Sequence, residues 1–254
     1  MLICTEEEKP ASSVLIAEDD QDIHDLLRTL LMKAGFQTLS AYSGTELALL
    51  LDRGELPDLI VLDLMLPGRC GEELIRDIRR CSNLPILVIS GKAALEDRVH
   101  ALQLGADDYI VKPFENADVL ARVQVQLRRG KELRNLTSSA CRPVNLAPDP
   151  NAERDTKPLV YRELRLDPAA YQASWADRTL DLTQTEFAIL RRLLEQPERV
   201  FSRETLCRTI WPDSSAPDDA ALNTHVSNLR RKLRAASGLD LIATLWGVGY
   251  KLAV

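Results

Sequence analysis

Short apolar strands alternate with helical patterns five times between residues 14 and 128, and this alternation restricts the fold more than any other feature of the chain. We expect strands at 14–17, 37–40, 59–62, 86–89 and 109–111, with helices near 21–34, 44–53, 71–80, 95–104 and 115–128. Strict alternation of this kind predicts an α/β fold in which helices cover both faces of a parallel sheet. Right-handed crossovers leave few topologies, and the strand order 2-1-3-4-5 is preferred among them for a five-stranded doubly wound sheet.

Polar residues follow four of the five predicted strands. Glu18 and Asp19 follow the first strand, Asp63 follows the third, Ser90 follows the fourth, and Lys112 comes directly after the fifth. The carboxyl ends of parallel strands meet at one edge of a sheet, so these side chains are expected to share a crevice. Clustered carboxylates repel one another unless a cation neutralises them, and their hard oxygen ligands favour Mg²⁺.

The chemistry that fits this crevice is nucleophilic. Asp63 would attack a phosphoryl group and become an acyl phosphate, while the metal and Lys112 balance its charge and Ser90 donates a hydrogen bond. A structural alternative is that Asp63 begins a turn before Pro67 and that the acids near residue 18 cap a helix. The convergence of an ammonium, a hydroxyl and several acids favours the chemical interpretation.

Charge is distributed unevenly along the 254 residues, whose formal net charge is −6. From Lys157 onward there are 14 Lys or Arg against 12 Asp or Glu, and the remainder has 18 against 26. An acidic first half joined to a slightly basic second half suggests two domains with different partners. No apolar run is long enough to cross a membrane. The five cysteines show no Cys-x-x-Cys spacing, so neither a zinc site nor a disulfide framework is predicted.

The second half predicts a winged helix-turn-helix domain. Periodicity is lost from about 128 to 158, where prolines and small polar residues indicate a tether. Short strands follow, and then Thr183 and Glu186 form a capping box that opens a helix. A second helix begins at Ser202, a third runs over 219–236, and the chain ends in a hairpin with Gly247 and Gly249 at its turn.

The motifs of the first half resemble the receiver domain of two-component response regulators, which has a flavodoxin-like fold. They are Glu-Asp-Asp at 18–20, Leu-Asp-Leu-Met-Leu-Pro-Gly at 62–68, Val-Ile-Ser-Gly at 88–91 and Gly-Ala-Asp-Asp-Tyr-Ile-Val-Lys-Pro-Phe at 105–114. The resemblance implies that Asp63 accepts a phosphoryl group from a sensor histidine kinase and that Lys112 contacts the phosphate. It also implies a Mg²⁺ site and a pair of switch residues. The metal ligands would be Glu18, Asp19, Asp63 and the carbonyl of Met65, and the switch pair would be Ser90 and Tyr109. By the same resemblance, the Lys112–Pro113 bond would be cis.

The resemblance further implies a dimer face formed by the fourth helix, the fifth strand and the fifth helix. Its complementary charges would be Arg98, Asp107, Asp108, Asp118 and Arg122. Gln103 and Gln124 stand where the family commonly has Glu and Lys, so one attractive pair is missing. The alternative for this set is an ordinary group of solvated helix charges.

The second half resembles the OmpR/PhoB-type winged-helix output domain. The motifs are Leu-Thr-Gln-Thr-Glu-Phe at 182–187, Val-Phe-Ser-Arg-Glu-Thr-Leu at 200–206, the run from His225 to Leu233, and Gly-Val-Gly-Tyr-Lys-Leu at 247–252. The third helix would enter the major groove. The expected DNA-contacting residues are Asn223, Thr224, Ser227, Asn228, Arg230, Arg231, Arg234, Trp246 and Lys251. Trp246 departs from the Arg that the family often has at this wing position, and the loop over 211–219 would approach RNA polymerase.

These expectations combine into a cytoplasmic, non-enzymatic transcriptional regulator. We expect a disordered N-terminus (1–12), a receiver domain (13–130), a flexible linker (131–157) and a winged-helix DNA-binding domain (158–254). Its partners would be promoter DNA, a sensor histidine kinase, RNA polymerase and, after phosphorylation, a second copy of the chain, with no membrane association. One alternative is a phosphorylation-independent regulator that protein partners control. A Mg²⁺-dependent phosphatase is disfavoured because the second residue after Asp63 is Met65 rather than Asp.

Overall fold

A computed structural model describes residues 12–54, 56–138, 157–212 and 219–253 of the chain. The predicted disordered N-terminus, apart from Ser12, and the part of the predicted linker over 139–156 lie outside these residues. Within the described part of the chain, no helix combines the length and apolarity needed to cross a membrane.

The first domain is the predicted α/β unit. Its strands are β1 (Ser13–Ala17), β2 (Gln37–Ala41), β3 (Leu59–Leu62), β4 (Ile86–Ser90) and β5 (Asp108–Val111). All neighbouring pairs are parallel, and the strand order is β2-β1-β3-β4-β5, which confirms the predicted topology. The helices are α1 (Gln21–Lys33), α2 (Gly44–Asp52), α3 (Gly71–Cys81), α4 (Leu95–Leu104) and α5 (Asn116–Ser138).

Two apolar clusters sandwich the sheet. On one face, Leu27 and Leu31 of α1 pack with Val119 and Val123 of α5. The other face is covered by α2, α3 and α4, whose inward residues include Leu47, Leu74, Ile75 and Ala101. Because both faces are covered, the central strands read as continuous apolar runs, and every residue of β3 and β4 is buried.

One predicted boundary differs from the structure. Helix α5 continues to Ser138, so residues 131–138, which were expected to belong to a flexible linker, are helical. The run Arg-Gly-Lys-Glu-Leu-Arg-Asn-Leu after Arg128 lacks an apolar stripe, but most of its residues have good helix propensity and can extend a helix already nucleated by packing.

The second domain begins with an antiparallel sheet of four strands in the order β6-β7-β8-β9. These strands are β6 (Leu159–Tyr161), β7 (Leu164–Asp167), β8 (Gln172–Trp175) and β9 (Arg178–Leu180). Three helices follow, namely α6 (Gln184–Glu195), α7 (Arg203–Ile210) and α8 (Asp219–Ser237). The predicted caps are present, since the side chain of Thr183 accepts from the N–H of Glu186 and Ser202 accepts from the N–H of Thr205.

The C-terminal hairpin consists of β11 (Ile242–Leu245) and β12 (Gly249–Leu252), and it forms the predicted wing. A short strand that the sequence did not predict, β10 (Phe201–Ser202), pairs with β12 and completes a three-stranded sheet. Gly249 allows this pairing, because a Cβ atom there would lie 1.9 Å from the carbonyl oxygen of Phe201.

Candidate functional site

A carboxylate crevice lies at the carboxyl edge of the receiver sheet. Glu18 and Asp19 leave β1, and Asp63 leaves β3, which is hydrogen-bonded to β1 along its length. One ligand oxygen from each of the three acids lies within 4.8 Å of the others. Glu18 and Asp63 are buried, whereas Asp19 is exposed at the mouth. The neighbouring Asp20 has a different role, because its side chain caps α1 by accepting from the N–H groups of Asp22 and Ile23.

Lys112 connects the two buried acids. Its Nζ donates to Asp63 Oδ2 at 2.6 Å and to Glu18 Oε1 at 2.7 Å. Burial alone would lower the pKa of Lys112, but the hydrogen bonds to Asp63 and Glu18 outweigh it and raise that pKa. Burial raises the pKa of Glu18, and the hydrogen bond from Lys112 opposes the rise only in part. The charged form of Glu18 is therefore disfavoured in the crevice, because Lys112 compensates only part of the cost of burying it.

The loop after β3 holds Asp63 in place. The N–H of Met65 donates to Asp63 Oδ1 at 2.9 Å, which leaves Asp63 Oδ2 directed at Lys112. Helix α3 starts against the same loop, since a Cβ atom on Gly71 would lie 2.6 Å from Leu64 Cα and 2.7 Å from the carbonyl oxygen of Asp63. The glycine thus permits a close approach that positions the nucleophilic carboxylate.

The two predicted switch residues lie on the neighbouring strands β4 and β5, where Tyr109 pairs with Val88 and Ser90 pairs with Val111. Ser90 is buried at the end of β4, and the side chain of Tyr109 is directed inward with only 4% exposed. The Tyr109 hydroxyl donates to the carbonyl of Lys92 at 2.7 Å. Burial raises the pKa of Tyr109, and a hydrogen bond with Ser90 opposes the rise. The Lys112–Pro113 peptide bond is cis, as the resemblance implied.

The acids fit a hard divalent cation. Three carboxylates face one ammonium, so two negative charges remain uncompensated if all are ionised. Oxygen ligands with one solvent-facing member suit Mg²⁺, which usually keeps several of its waters. Glu18, Asp19 and Asp63 would hold the ion, with the Met65 carbonyl as the fourth protein ligand that the family resemblance suggests.

Most of the residues expected on a dimer face form ion pairs or hydrogen bonds with other residues of the same chain. Asp107 and Asp108 are fully buried, which differs from the expectation of surface charges. Arg122 pairs with Asp108 at 2.7 Å and with Asp118 at 2.8 Å. Burial would lower the pKa of Arg122, but these two acids raise it. Arg98 is half-buried and likewise has an interaction partner.

The DNA-contacting candidates on α8 fall into two groups. Four of them are exposed: Asn223, Ser227, Arg231 and Arg234. Thr224 and Asn228 are buried, against the expectation of an outward face. The reason is that α8 packs against α4 of the receiver, and Asn228 Nδ2 donates to the carbonyl of Leu102 at 3.0 Å.

The wing is attached firmly to α8. Arg230, which was expected to contact DNA, donates to the carbonyl of Ile242 at 3.0 Å and to Thr244 Oγ1 at 2.6 Å. The Tyr250 hydroxyl donates to Asn223 Oδ1 at 2.5 Å. Lys251 is half-buried, whereas the side chain of Trp246 at the hairpin turn is 88% exposed.

Sequence reasoning missed the residues that join the two domains. They are Thr185 at the start of α6 and His225 on α8, which lie beside Asp107, while Arg79 on α3 holds Asp107 from within the receiver. Burial lowers the pKa of His225 although the nearby acids Asp107, Glu186 and Asp108 oppose the shift. Thr185 belongs to the output-domain motif, but nothing in its spacing indicates contact with a residue 78 positions earlier.

Comparison with known proteins agrees with both halves of the fold. Residues 14–124 match the family model for the response regulator receiver domain, and 177–252 match that for the C-terminal domain of transcriptional regulatory proteins. The chain is 38% identical over 240 residues to the transcriptional regulatory protein BaeR of Escherichia coli O6:H1, covering 94% of this chain and 91% of BaeR. It is 34% identical over 242 residues to CpxR of Klebsiella pneumoniae, covering 94% and 97%.

A solved structure of a RitR mutant has the same fold. It superposes with a TM-score of 0.72 at 22% identity and covers 96% of this chain and 99% of its own. Both family models match their domains, and relatives are more than 30% identical over nearly the whole length. The chain therefore belongs to the OmpR/PhoB-type response regulators, which are DNA-binding transcriptional regulators of two-component systems.

Proposed function

We propose that the regulator is switched by phosphorylation of Asp63, with Mg²⁺ as cofactor and a sensor histidine kinase as donor. The observation that supports this most directly is the position of Asp63. One of its oxygens is 2.6 Å from the Lys112 ammonium, in a crevice where Glu18 and Asp19 add two more metal-type ligands. A purely structural acid would not need two further carboxylates beside it.

In the transfer, Asp63 Oδ2 attacks the phosphorus of a kinase phosphohistidine. The new O–P bond forms as the P–N bond breaks, and the electron pair of that bond leaves with the histidine nitrogen. Bound Mg²⁺ would neutralise charge on the phosphoryl oxygens. Lys112 keeps its charge throughout, and it exchanges a carboxylate partner for a phosphoryl oxygen. The Ser90 hydroxyl donates to another phosphoryl oxygen.

The downstream steps join the receiver to DNA. Two phosphorylated chains would associate through the face of α4, β5 and α5, and paired C-terminal domains would bind tandem half-sites about 10–11 bp apart. Helix α8 would read the major groove with Asn223, Ser227, Asn228 and Arg231, and Arg234 would contact the backbone. RNA polymerase would be approached through the loop before α8, of which 213–218 lie outside the described residues. The proposed location is the cytoplasm, because promoter DNA and RNA polymerase are there.

A test compares the wild type with Asp63→Ala and with Asp77→Ala. Asp77 is an ion-paired acid on α3 of the same domain, and it serves as the matched control. Each protein is incubated with acetyl phosphate in Mg²⁺ or in EDTA, and its intact mass and light scattering are then measured. We expect a phosphoryl adduct and a dimer for wild type and Asp77→Ala in Mg²⁺ only. An adduct on Asp63→Ala would assign the phosphoryl group to another residue.

A second candidate is a regulator that works without phosphorylation. It is favoured by Tyr109, whose ring is already buried and hydrogen-bonded to Lys92 without a phosphoryl group. If unmodified wild type stays free of phosphoryl groups under the conditions above and still binds promoter DNA, this candidate replaces the first.

A further inference from the structure

A cavity that the phosphorylation proposal does not use lies between α2 and α3 of the receiver. Its volume is about 340 Å³, within the range of small-molecule sites. The apolar part of its wall comes from both helices and from the segments before β3 and β4, namely Leu51, Leu56, Leu74, Ile78 and Leu84. Because Leu56 and Leu84 precede their strands, the cavity lies towards the amino edge of the sheet and not at the edge that carries Asp63.

One of the lining residues is a large apolar side chain that is left in water. Leu56 is 65% exposed, whereas Leu51 and Leu84, which line the same cavity, pack against the receiver core. Leu74 and Ile78 are buried on the side of α3. An apolar body that entered between them and Leu56 would remove apolar surface from water on both partners, which favours binding.

Three charged side chains line the cavity as well: Asp52, Arg69 and Asp77. Asp77 is already compensated, because it pairs with both Arg69 and Arg80. Asp52 is the last residue of α2, whose last turn holds no basic residue, and no ion pair joins it to another of the residues that the structure describes. A carboxylate is disfavoured at this negative end of the helix dipole. The uncompensated charge at the cavity is therefore negative.

Arg69 connects the cavity to the loop that follows Asp63. This loop lies on the start of α2, since the N–H of Gly44 donates to the carbonyl of Pro67 at 3.0 Å and a Cβ atom on Gly44 would lie 2.0 Å from the carbonyl oxygen of Arg69. The same loop holds Asp63 through the N–H of Met65. The cavity is thus separate from the phosphorylation crevice, and one short loop joins the two.

We propose that this cavity binds an amphipathic cation, a small molecule with an apolar body and one ammonium group. The body lies against Leu74 and Ile78 and covers Leu56, and the ammonium pairs with Asp52. The inference concerns the receiver by itself, and it depends neither on phosphorylation of Asp63 nor on DNA binding.

The probe is octylamine, and octanoate, which has a chain of the same length and the opposite charge, is the control ligand. Each is titrated into the full chain without phosphodonor, and the methyl resonances of Leu74 and Ile78 are followed by NMR. We expect octylamine to shift these resonances with a Kd on the order of 1 mM. Octanoate should bind about tenfold more weakly, because Asp52 repels it. Equal binding of the two ligands, or no saturable shift by octylamine up to about 10 mM, would overturn the inference.

Two variants test the walls of the cavity. Ala48→Phe fills the cavity from α2 and should abolish the saturable shift, whereas Leu49→Phe places the same ring at the next position, which is exposed and outside the lining, and should leave binding unchanged. Asp52→Asn should weaken octylamine binding about threefold, the value of one partly exposed charge pair. Wild-type affinity in either folded variant overturns the inference. If Ala48→Phe loses the native amide protection of β1 and β3, the exposed Asp52 decides the test alone.

Cysteine reactivity gives a second measurement that needs no variant. Cys81 at the end of α3 lines the cavity, whereas Cys70 caps the start of the same helix outside it, and both thiols are free and exposed. At about five times the Kd of octylamine only about one site in six is empty, so alkylation of Cys81 by iodoacetamide should slow about sixfold. The rate at Cys70, read from its own peptide after digestion, should not change. An unchanged rate at Cys81 would place the amine elsewhere and overturn the inference.

Discussion

Replacing Lys112 by Met tests whether the phosphorylation crevice is held together by one ammonium. The Nζ atom makes two short charge-assisted hydrogen bonds, to Asp63 Oδ2 and Glu18 Oε1. The side chains of Lys112, Asp63 and Glu18 are 16%, 6% and 2% exposed. Methionine is unbranched and only one atom shorter than lysine, but it leaves two buried carboxylates facing each other without a counter-charge.

The expected cost is about 3 kcal/mol in the free energy of unfolding of the receiver at neutral pH in EDTA, the lower end of what breaking a buried ion pair costs. The cost is pH-dependent. Burial already raises the pKa of Glu18, and losing the ammonium raises it further. A carboxyl whose folded-state pKa is raised destabilises the fold above that pKa and ceases to do so once it is protonated below its ordinary value of 4.5. The difference between variant and wild type should therefore shrink as the pH falls towards about 5.

Native-state hydrogen exchange of amides in β1 and β3 measures this energy for the receiver separately from the other domain. The matched control is Lys92→Met, which removes a lysine from a pair with Glu72 that is 35% and 26% exposed. We expect the control to cost about 0.5 kcal/mol or less. Mg²⁺ should restore part of the stability of Lys112→Met, because the ion binds only the folded crevice. The reasoning is refuted if the two variants lose equal stability, or if the loss at Lys112 is the same in EDTA and Mg²⁺ and at every pH.

Three further predictions concern the C-terminal domain. Trp246→Ala should lower affinity for DNA about tenfold without changing the salt dependence, because tenfold corresponds to burial of about 55 Å² of apolar surface, roughly a quarter of the side chain. Trp246→Arg should steepen the slope of the logarithm of the DNA-binding constant against the logarithm of salt concentration by about one. Equal slopes for wild type and Trp246→Arg in fluorescence-anisotropy titrations would mean that the wing does not reach DNA. Gly249→Ala should lower the free energy of unfolding of this domain by about 3 kcal/mol or more. The φ of Gly249 is +154°, and a Cβ atom there would lie 1.9 Å from the carbonyl oxygen of Phe201. A Tm in thermal unfolding within a degree or two of wild type would contradict this. Acidification from about pH 7.5 to 5.5 should weaken the contact between the two domains, because burial holds the pKa of His225 below 6.5 against the opposing charges of Asp107, Asp108 and Glu186. His225 is neutral above pH 6.5, where the contact is intact. As the pH falls below that value, protonation of His225 is disfavoured at the buried position and therefore weakens the contact. Small-angle scattering should show an increasing radius of gyration in wild type and none in His225→Gln.

The order of the receiver strands and the chemistry of the crevice could be predicted from the sequence because both depend on local patterns. Apolar runs of strand length, alternating with helical periods, leave few parallel topologies. Once the sheet is parallel, residues that follow its strands must meet at one edge, which is why Glu18, Asp63 and Lys112 were found together. The caps at Thr183 and Ser202 are equally local, since each depends on residues three positions apart.

The tertiary structure alone decided which of these surfaces are available. Asp107 and Asn228 are ordinary polar residues in their own segments, and nothing in their spacing indicates that one caps a helix 78 residues away or that the other bonds Leu102 across 126 residues. Arg230 was likewise predicted to contact DNA, but its guanidinium is hydrogen-bonded to the wing. Contacts between domains depend on the complementarity of two finished surfaces. That complementarity exists only after each domain has folded, so no local pattern in the chain records it.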